Sequence, residues 1–240
     1  MGKPQITAHR GASGLAPENT LSAIRLAIEI GADFAEIDVQ ESADGGIFLL
    51  HDASIDRTTD KKGIIWELTS ADLRAADAGS WYSPWFANEP VPDLSTVIDS
   101  MSGMIKLNIE LKTNGHQIKL AERVVAIIEE KKFIDQCIVT SFDREEISKV
   151  KELNPGIKTG LIFSKIPKEN IWTAAYDLFS VHKKLVSDDF MKDAHQFGKE
   201  VHVWTVNKEK EMRKMIGYGV DNIITNYPGK TFQVLKTWKV

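Results

Sequence analysis

The chain has 240 residues, 42% hydrophobic and 27% charged, with 30 Lys and Arg against 34 Asp and Glu for a net charge of −4. Such a composition belongs to an ordinary globular protein with one large core, a size that α/β barrels reach as single domains. It excludes a general nucleic-acid binder, which is as a rule basic, and the lone cysteine, Cys137, excludes an internal disulfide.

Met1-Gly2-Lys3-Pro4-Gln5 lacks the apolar stretch of a signal peptide. No run approaches the roughly 18 apolar residues of a membrane span. The expectation is a soluble, cytoplasmic protein without stable membrane insertion. Its partner is a small molecule and not a nucleic acid. Cys137 lies in the apolar run Cys137-Ile138-Val139-Thr140 and reads as buried filler.

In chain order, strand-like runs fall at Gln5–Ala8, Phe34–Val39, Ile47–His51, Lys106–Lys112, Cys137–Phe142, Thr159–Phe163, Leu178–Val181, Val201–Val206 and Asn222–Thr225. Helix-like runs lie between most of them. In Thr20–Ile30, apolar Leu21, Ile24, Ala27 and Ile28 follow a 3.6-residue period, and Gly31 stands at the C-cap. Ile118–Lys131, Arg144–Leu153, Asp188–Gly198 and Lys208–Gly217 read similarly, with Asp143 and Asn207 placed as N-caps.

Strand–helix alternation implies a parallel sheet. Nine strands are one too many for an eight-stranded barrel, and the second and third explain the excess. Only seven residues separate Val39 from Ile47, too few for a parallel crossover, and Asp44-Gly45 is a hairpin signal. These runs form a hairpin of which only the first strand enters the barrel. With Asp44-Gly45 at the turn centre, His51 faces Asp38; another turn register shifts the pairing by one residue.

The fold expected is an α/β TIM barrel, a single domain over 1–240. It carries a hairpin after the second strand and an insertion at about 53–100 before the third. The insertion reads as a small lid subdomain whose core includes the aromatics at 81–86.

In a parallel barrel, residues at the C-terminal strand ends converge on one mouth. These are His9 and Arg10, Glu36 and Asp38, His51 on the hairpin, Glu110 and Lys112, and Trp204, Thr205 and Asn207, with Thr225 and Asn226 last. Glu36 and Asp38 are two residues apart and share a face of their strand, as do Glu110 and Lys112. Three carboxylates at one mouth repel one another unless a cation sits among them, and all-oxygen ligation favours Mg²⁺, Ca²⁺ or Mn²⁺ over Zn²⁺. The alternative is an ion-pair network in which Arg10 and Lys112 satisfy the three. His9 and His51 flank the cluster and can give or take a proton near neutrality. Together with Arg10 and Lys112, this set suits a phosphodiester. Trp204 either walls the pocket, against an apolar or choline-like group, or packs in the core. His116, His182, His195 and His202 read as structural or surface residues.

The motifs that carry this chemistry recur in a known order. They are His9-Arg10-Gly11, Pro17-Glu18-Asn19-Thr20, Glu36-Ile37-Asp38-Val39, His51-Asp52, Asp56-Arg57-Thr58-Thr59, Gly79-Ser80-Trp81, Glu110-Leu111-Lys112, Ser141-Phe142, Val203-Trp204-Thr205-Val206-Asn207 and Ile224-Thr225-Asn226-Tyr227-Pro228. In that order the chain resembles the glycerophosphodiester phosphodiesterase family from His9 to Pro228.

The resemblance implies a TIM barrel with an insertion after His51-Asp52. It implies a divalent cation (Mg²⁺, Ca²⁺ or Mn²⁺) on Glu36, Asp38 and Glu110, acid/base work by His9 and His51, and phosphate contacts from Arg10 and Lys112. The implied reaction is hydrolysis of glycerophosphodiesters to an alcohol and sn-glycerol 3-phosphate, by water or through a cyclic phosphate. Asn19 is implied as a loop organiser, with Glu18 near the glycerol or the metal. Asp93 replaces an expected Thr, a helix-capping change, and Asn226 stands where Asp is common. His182-Lys183-Lys184 is an unusual mouth sequence that bears on which alcohol fits. Two other readings stand beside this one. One is lysophospholipase D-type hydrolysis, with an apolar mouth from Trp81, Tyr82, Trp85 and Phe86. The other is a non-catalytic phosphoester-binding barrel.

Overall fold

A computed structural model describes residues 2–238, so Met1, Lys239 and Val240 of the expected 1–240 domain lie outside the described residues. Strands β1 (Gln5–Ala8), β2 (Phe34–Glu41), β4 (Lys106–Leu111), β5 (Cys137–Ser141), β6 (Lys158–Phe163), β7 (Leu178–His182), β8 (Glu200–Trp204) and β9 (Asn222–Thr225) pair in parallel. β1 bonds both β9 and β2, so the sheet closes into the eight-stranded TIM barrel. Helices α1 (Leu21–Ile30), α3 (Leu94–Met101), α4 (Leu120–Glu130), α5 (Arg144–Leu153), α6 (Asp188–Gln196), α7 (Glu209–Tyr218) and α8 (Pro228–Thr237) surround it, and the β6–β7 crossover has no helix. Among the described residues, no helix is long and apolar enough to cross a membrane.

The two-residue period of each strand sorts side chains between barrel and helices. On β2, Ala35, Ile37 and Val39 join the apolar layer under the helices, while Glu36 and Asp38 are left for the mouth. On β4, Leu107, Ile109 and Leu111 join the same layer, and Asn108 and Glu110 line the central cavity. Cys137 is 5% exposed in that layer, and burial, with Asp135 adding to it, pushes its thiol up to about 12. It is packing, not a nucleophile.

Helix ends follow the sequence where local chemistry dominates. Thr20 caps α1, and Gly31 ends it in the left-handed region at φ 88°. Asp143 caps α5, and Asp93 caps α3 by accepting from the Thr96 N–H at 2.9 Å. Asn207 does not cap α7. Lys208 occupies that place, and the Asn207 amide oxygen accepts from Asn226 N (2.9 Å) and Thr225 Oγ1 (3.1 Å), bracing the end of β9.

The hairpin partner of β2 is β3 (Ile47–Leu49), in a register one residue from that expected: Val39 pairs with Leu49 and Glu41 with Ile47. Its loop holds three residues, Ala43-Asp44-Gly45, closed by Ser42 N–H donating to Gly46 O at 2.9 Å. Only Gly45 has a positive φ, 83°. A two-residue type I′ turn needs two such residues, so the chain takes the three-residue loop with one left-handed glycine. Asp38 O therefore accepts from Leu50 N, and His51 lies beyond the ladder on a bend.

After His51 the chain makes its long excursion, which includes the short helix α2 (Ser70–Arg74). Phe48, Leu50, Ile55, Ile65, Leu73, Ala76, Ala78 and Val91 form its small apolar core. The aromatics at 81–86 are not that core. Trp81 is 39% and Trp85 93% exposed, and Tyr82 stacks edge-on between Trp81 and Phe86. Helix α3, inside the expected 53–100 insertion, packs Leu94, Val97, Ile98 and Met101 on the barrel layer instead. Glu89 ties the excursion to the mouth by accepting from Ser22 N (3.0 Å) and Oγ (2.5 Å) in the first turn of α1.

Candidate active site

The C-terminal strand ends enclose a cavity of about 530 Å³, counted to its open mouth. His9, Arg10, Glu36, His51, Glu110, Lys112 and Trp204 line it, with Asn108, Thr140, Ser180, Ile162 and Ile224. Seven of the eight sequence-nominated site residues thus share one cavity. The eighth, Asp38, lies against it, its carboxylate grouped with those of Glu36 and Glu110 within 4.8 Å.

The β1–α1 loop is fixed over β2 by backbone chemistry. Arg10 N–H donates to Glu36 Oε2 at 2.7 Å, and Gly11 N–H to Glu36 O at 3.2 Å. Arg10 and Asn19 both take left-handed backbone conformations, φ 55° and 57°. Asn19 organises the loop by donating Nδ2 to Asp38 Oδ2 (2.9 Å) and accepting the Asp38 N–H (3.1 Å). Gly11, at φ 74°, has no room for a Cβ, which would fall 2.6 Å from the Ala23 backbone carbon. Gly11→Ala is expected to destabilise the fold by about 2–3 kcal/mol. Urea denaturation checks this, and an unchanged midpoint contradicts it.

Electrostatics concentrate on the three carboxylates. Glu36 and Asp38 are 3% and 1% exposed, and the Glu110 side chain 12%. Burial, then the charges of Asp38 and Glu110, hold Glu36 well above the ordinary carboxylate range. Burial, then Asp38, pushes Glu110 up to about 7. Two cations answer them: Arg10 Nε lies 3.2 Å from Asp38 Oδ2, and Lys112 Nζ 2.9 Å from Glu110 Oε1 and 3.7 Å from Asp38 Oδ1. The ion-pair network foreseen as the alternative is therefore present. Even with it, Glu36 and Glu110 resist ionisation. An all-oxygen set of this size and charge fits a hard divalent cation.

The two histidines are held differently. His9 Nδ1 donates to the Asn226 amide oxygen at 2.8 Å, and burial, then Arg10, lowers its pKa to about 4. His51 Nδ1 donates to Asp52 Oδ1 at 2.7 Å. In both rings Nε2 remains for chemistry.

Trp204 lines the cavity and meets Phe142 edge-on at 5.9 Å and His182 at 5.3 Å. It is a wall, not hidden core. Phe142, which the sequence marked only as part of the Ser141-Phe142 motif and as the end of a strand, follows β5 and lines the cavity beside Trp204. Of the other histidines, His116 stacks on Trp66, His195 pairs with Asp221 and His202 with Glu200; only His182 reaches the mouth, through Trp204. Trp81, Tyr82, Trp85 and Phe86 are not among the residues that line the cavity.

Comparison with known proteins bears on the family and the fold. The family model described as the glycerophosphoryl diester phosphodiesterase family matches residues 9–230. YhdW of Bacillus subtilis is 35% identical over 229 residues, 93% of this chain and 94% of its own. A glycerophosphodiester phosphodiesterase of Caldanaerobacter subterraneus is 32% identical over 232 residues, covering 94% of this chain and 95% of its own. An Oleispira antarctica phosphodiesterase, solved with the product sn-glycerol-3-phosphate, superposes with a TM-score of 0.92 at 32% identity over 98% of each chain. With a barrel of this topology and a match that runs from His9 through the last helix's first turn, the chain belongs to the glycerophosphoryl diester phosphodiesterase family.

Proposed function

We propose that this protein hydrolyses glycerophosphodiesters to an alcohol and sn-glycerol 3-phosphate, using a divalent cation on Glu36, Asp38 and Glu110 and a histidine pair as base and acid. The observation that carries the reading is the buried carboxylate trio, within 4.8 Å, in one cavity with two histidines, an Arg and a Lys. A divalent cation held by Glu36, Asp38 and Glu110 would supply fixed positive charge to the reacting phosphodiester.

His9, kept neutral near pH 7 by burial and Arg10, has its Nε2 lone pair free and serves as the base for the attacking hydroxyl, of water or of the substrate's glycerol. His51 pairs with the Asp52 carboxylate, so it can carry a proton without leaving a bare charge. It serves as the acid, giving that proton to the departing alkoxide. Arg10 and Lys112, already in the cavity, orient the phosphate. Trp204 and Phe142 form the aromatic wall beside it.

The test is glycerol 3-phosphate release from glycerophosphocholine and glycerophosphoethanolamine, after chelation and then with Mg²⁺, Ca²⁺ or Mn²⁺ restored. Turnover lost to chelator and regained with an ion is the expected result. Turnover indifferent to chelation removes the cation from the proposal. None with any ion removes this reaction; lysophospholipids are then the next substrates, and the binding-only reading follows if they too are left intact.

A further inference from the structure

His51 is the one proposed catalytic group carried by the excursion side of the mouth, and its imidazole has a single side-chain partner, Asp52. The Asp52 side chain is 35% exposed, so one bond to a solvated carboxylate is a weak anchor unless that carboxylate is itself held. Arg57 holds it: Nε donates to Asp52 Oδ2 at 2.6 Å. The other two guanidinium nitrogens of Arg57 donate to Glu18, Nη1 to Oε2 at 3.0 Å and Nη2 to Oε1 at 2.8 Å. Glu18 Oε1 also accepts from Arg10 Nη1 at 2.8 Å. One guanidinium therefore closes a bridge across the mouth, from His51 through Asp52 and Glu18 to Arg10.

We propose that Arg57 is a positioning residue of the active site, orienting His51 through Asp52 and locking the excursion to the phosphate-facing side through Glu18. The inference rests on the reaction proposed above. A planar guanidinium suits this task because its three nitrogens reach two carboxylates at fixed angles, which an ammonium cannot do. The backbone does not depend on Arg57. Gln40 Nε2 donates to the carbonyls of Leu50 (2.8 Å), His51 (3.3 Å) and Asp52 (2.8 Å), fixing that bend from the barrel side. Removing Arg57 therefore frees the Asp52 carboxylate and the imidazole it holds, and leaves the chain path in place. Arg57 also draws Asp52 down to about 2, keeping it ionised throughout the neutral range.

The experiment uses the full chain, glycerophosphocholine and a saturating divalent cation. Arg57→Ala is expected to lower kcat by about 10–100-fold, the usual cost of losing a partner that orients an active-site ligand. KM should stay within about threefold, because the groups that face the phosphate remain. The Arg57 side chain is 45% exposed, so added guanidinium at tens of millimolar can reach the gap and should recover much of the lost kcat. Asp52→Asn should lose a similar amount, and the double variant no more than the worse single one, since the two act through one connection. Arg57→Ala with kcat within threefold of the unaltered protein overturns the inference, as does a loss that guanidinium leaves untouched. If Arg57→Ala does not fold, Asp52→Asn decides alone, and a kcat within threefold overturns it. Lack of turnover by the unaltered protein instead overturns the reaction, and this inference falls with it.

Discussion

Replacing His9 or His51 by alanine is expected to lower kcat by about 10²–10⁴-fold, the usual contribution of a positioned acid or base. The two losses should differ in kind. From a glycerol phosphodiester with a p-nitrophenyl leaving group, the P–O bond breaks to release p-nitrophenolate, which needs no proton to depart. On that substrate His51→Ala should recover most of its deficit, whereas His9→Ala should not, because the attacking hydroxyl still has to lose its proton. The assignment comes from what each ring leans on. The Asn226 amide can accept from a neutral His9 but offers no charge to stabilise an imidazolium, and Arg10 lies beside it. Asp52 offers that charge to His51. Recovery by His9→Ala instead reverses the roles, and unchanged turnover in either variant on glycerophosphocholine removes that residue from the mechanism.

How much of this was legible depends on what decides each feature. The alternation of Ala35, Ile37 and Val39 with Glu36 and Asp38 is local, so a strand with apolar backing and a carboxylate pair could be read directly. The hairpin was equally plain, but its register hung on whether Asp44 would accept a positive φ beside Gly45. It does not, and the pairing moves by one residue. His51 still reaches the cavity, on the bend beyond the ladder rather than opposite Asp38. Asn207 looked like a cap because such residues often are, yet β9 offered its amide a better-placed partner.

The excursion was least readable. Its order comes from non-periodic side-chain bonds, such as Asp77 accepting from the N–H groups of Gly79, Ser80 and Asn88. The aromatics at 81–86 looked like core by type alone, whereas Phe48 and smaller aliphatics fill that space, with Trp66 packed against them. The connection from Arg57 to Glu18 spans 39 residues, and no local pattern announces it.

Glu110→Gln should abolish the response to divalent cation and, in the chelated protein, raise stability more as the pH rises. The sign follows from proton linkage. Unfolded, Glu110 ionises near its ordinary 4.5; folded, it keeps its proton up to about 7. Between those values the folded state binds more protons. Its contribution is fully present below pH 4.5 and is lost as the pH passes through about 7. The shift corresponds to about 3 kcal/mol, or very roughly 6–12 °C in Tm for a domain of this size. Glutamine cannot ionise and escapes that loss. His9 runs the other way, its lowered pKa adding stability as the pH climbs from about 4 to 6.5. The unaltered protein can therefore show a nearly flat profile. The difference between variant and unaltered protein cancels the His9 contribution and isolates the carboxylates. Glu36, also raised partly by Glu110, changes in the same direction. Thermal unfolding of both chelated proteins from pH 4.5 to 8 makes the measurement, repeated with Mg²⁺, Ca²⁺ or Mn²⁺. A bound cation should raise the unaltered protein's Tm most at pH 8, where the repulsion it relieves is greatest. A Tm difference that stays constant with pH, together with an undiminished cation response in Glu110→Gln, would mean that Arg10 and Lys112 already satisfy the carboxylates and that the cation does not bind among them.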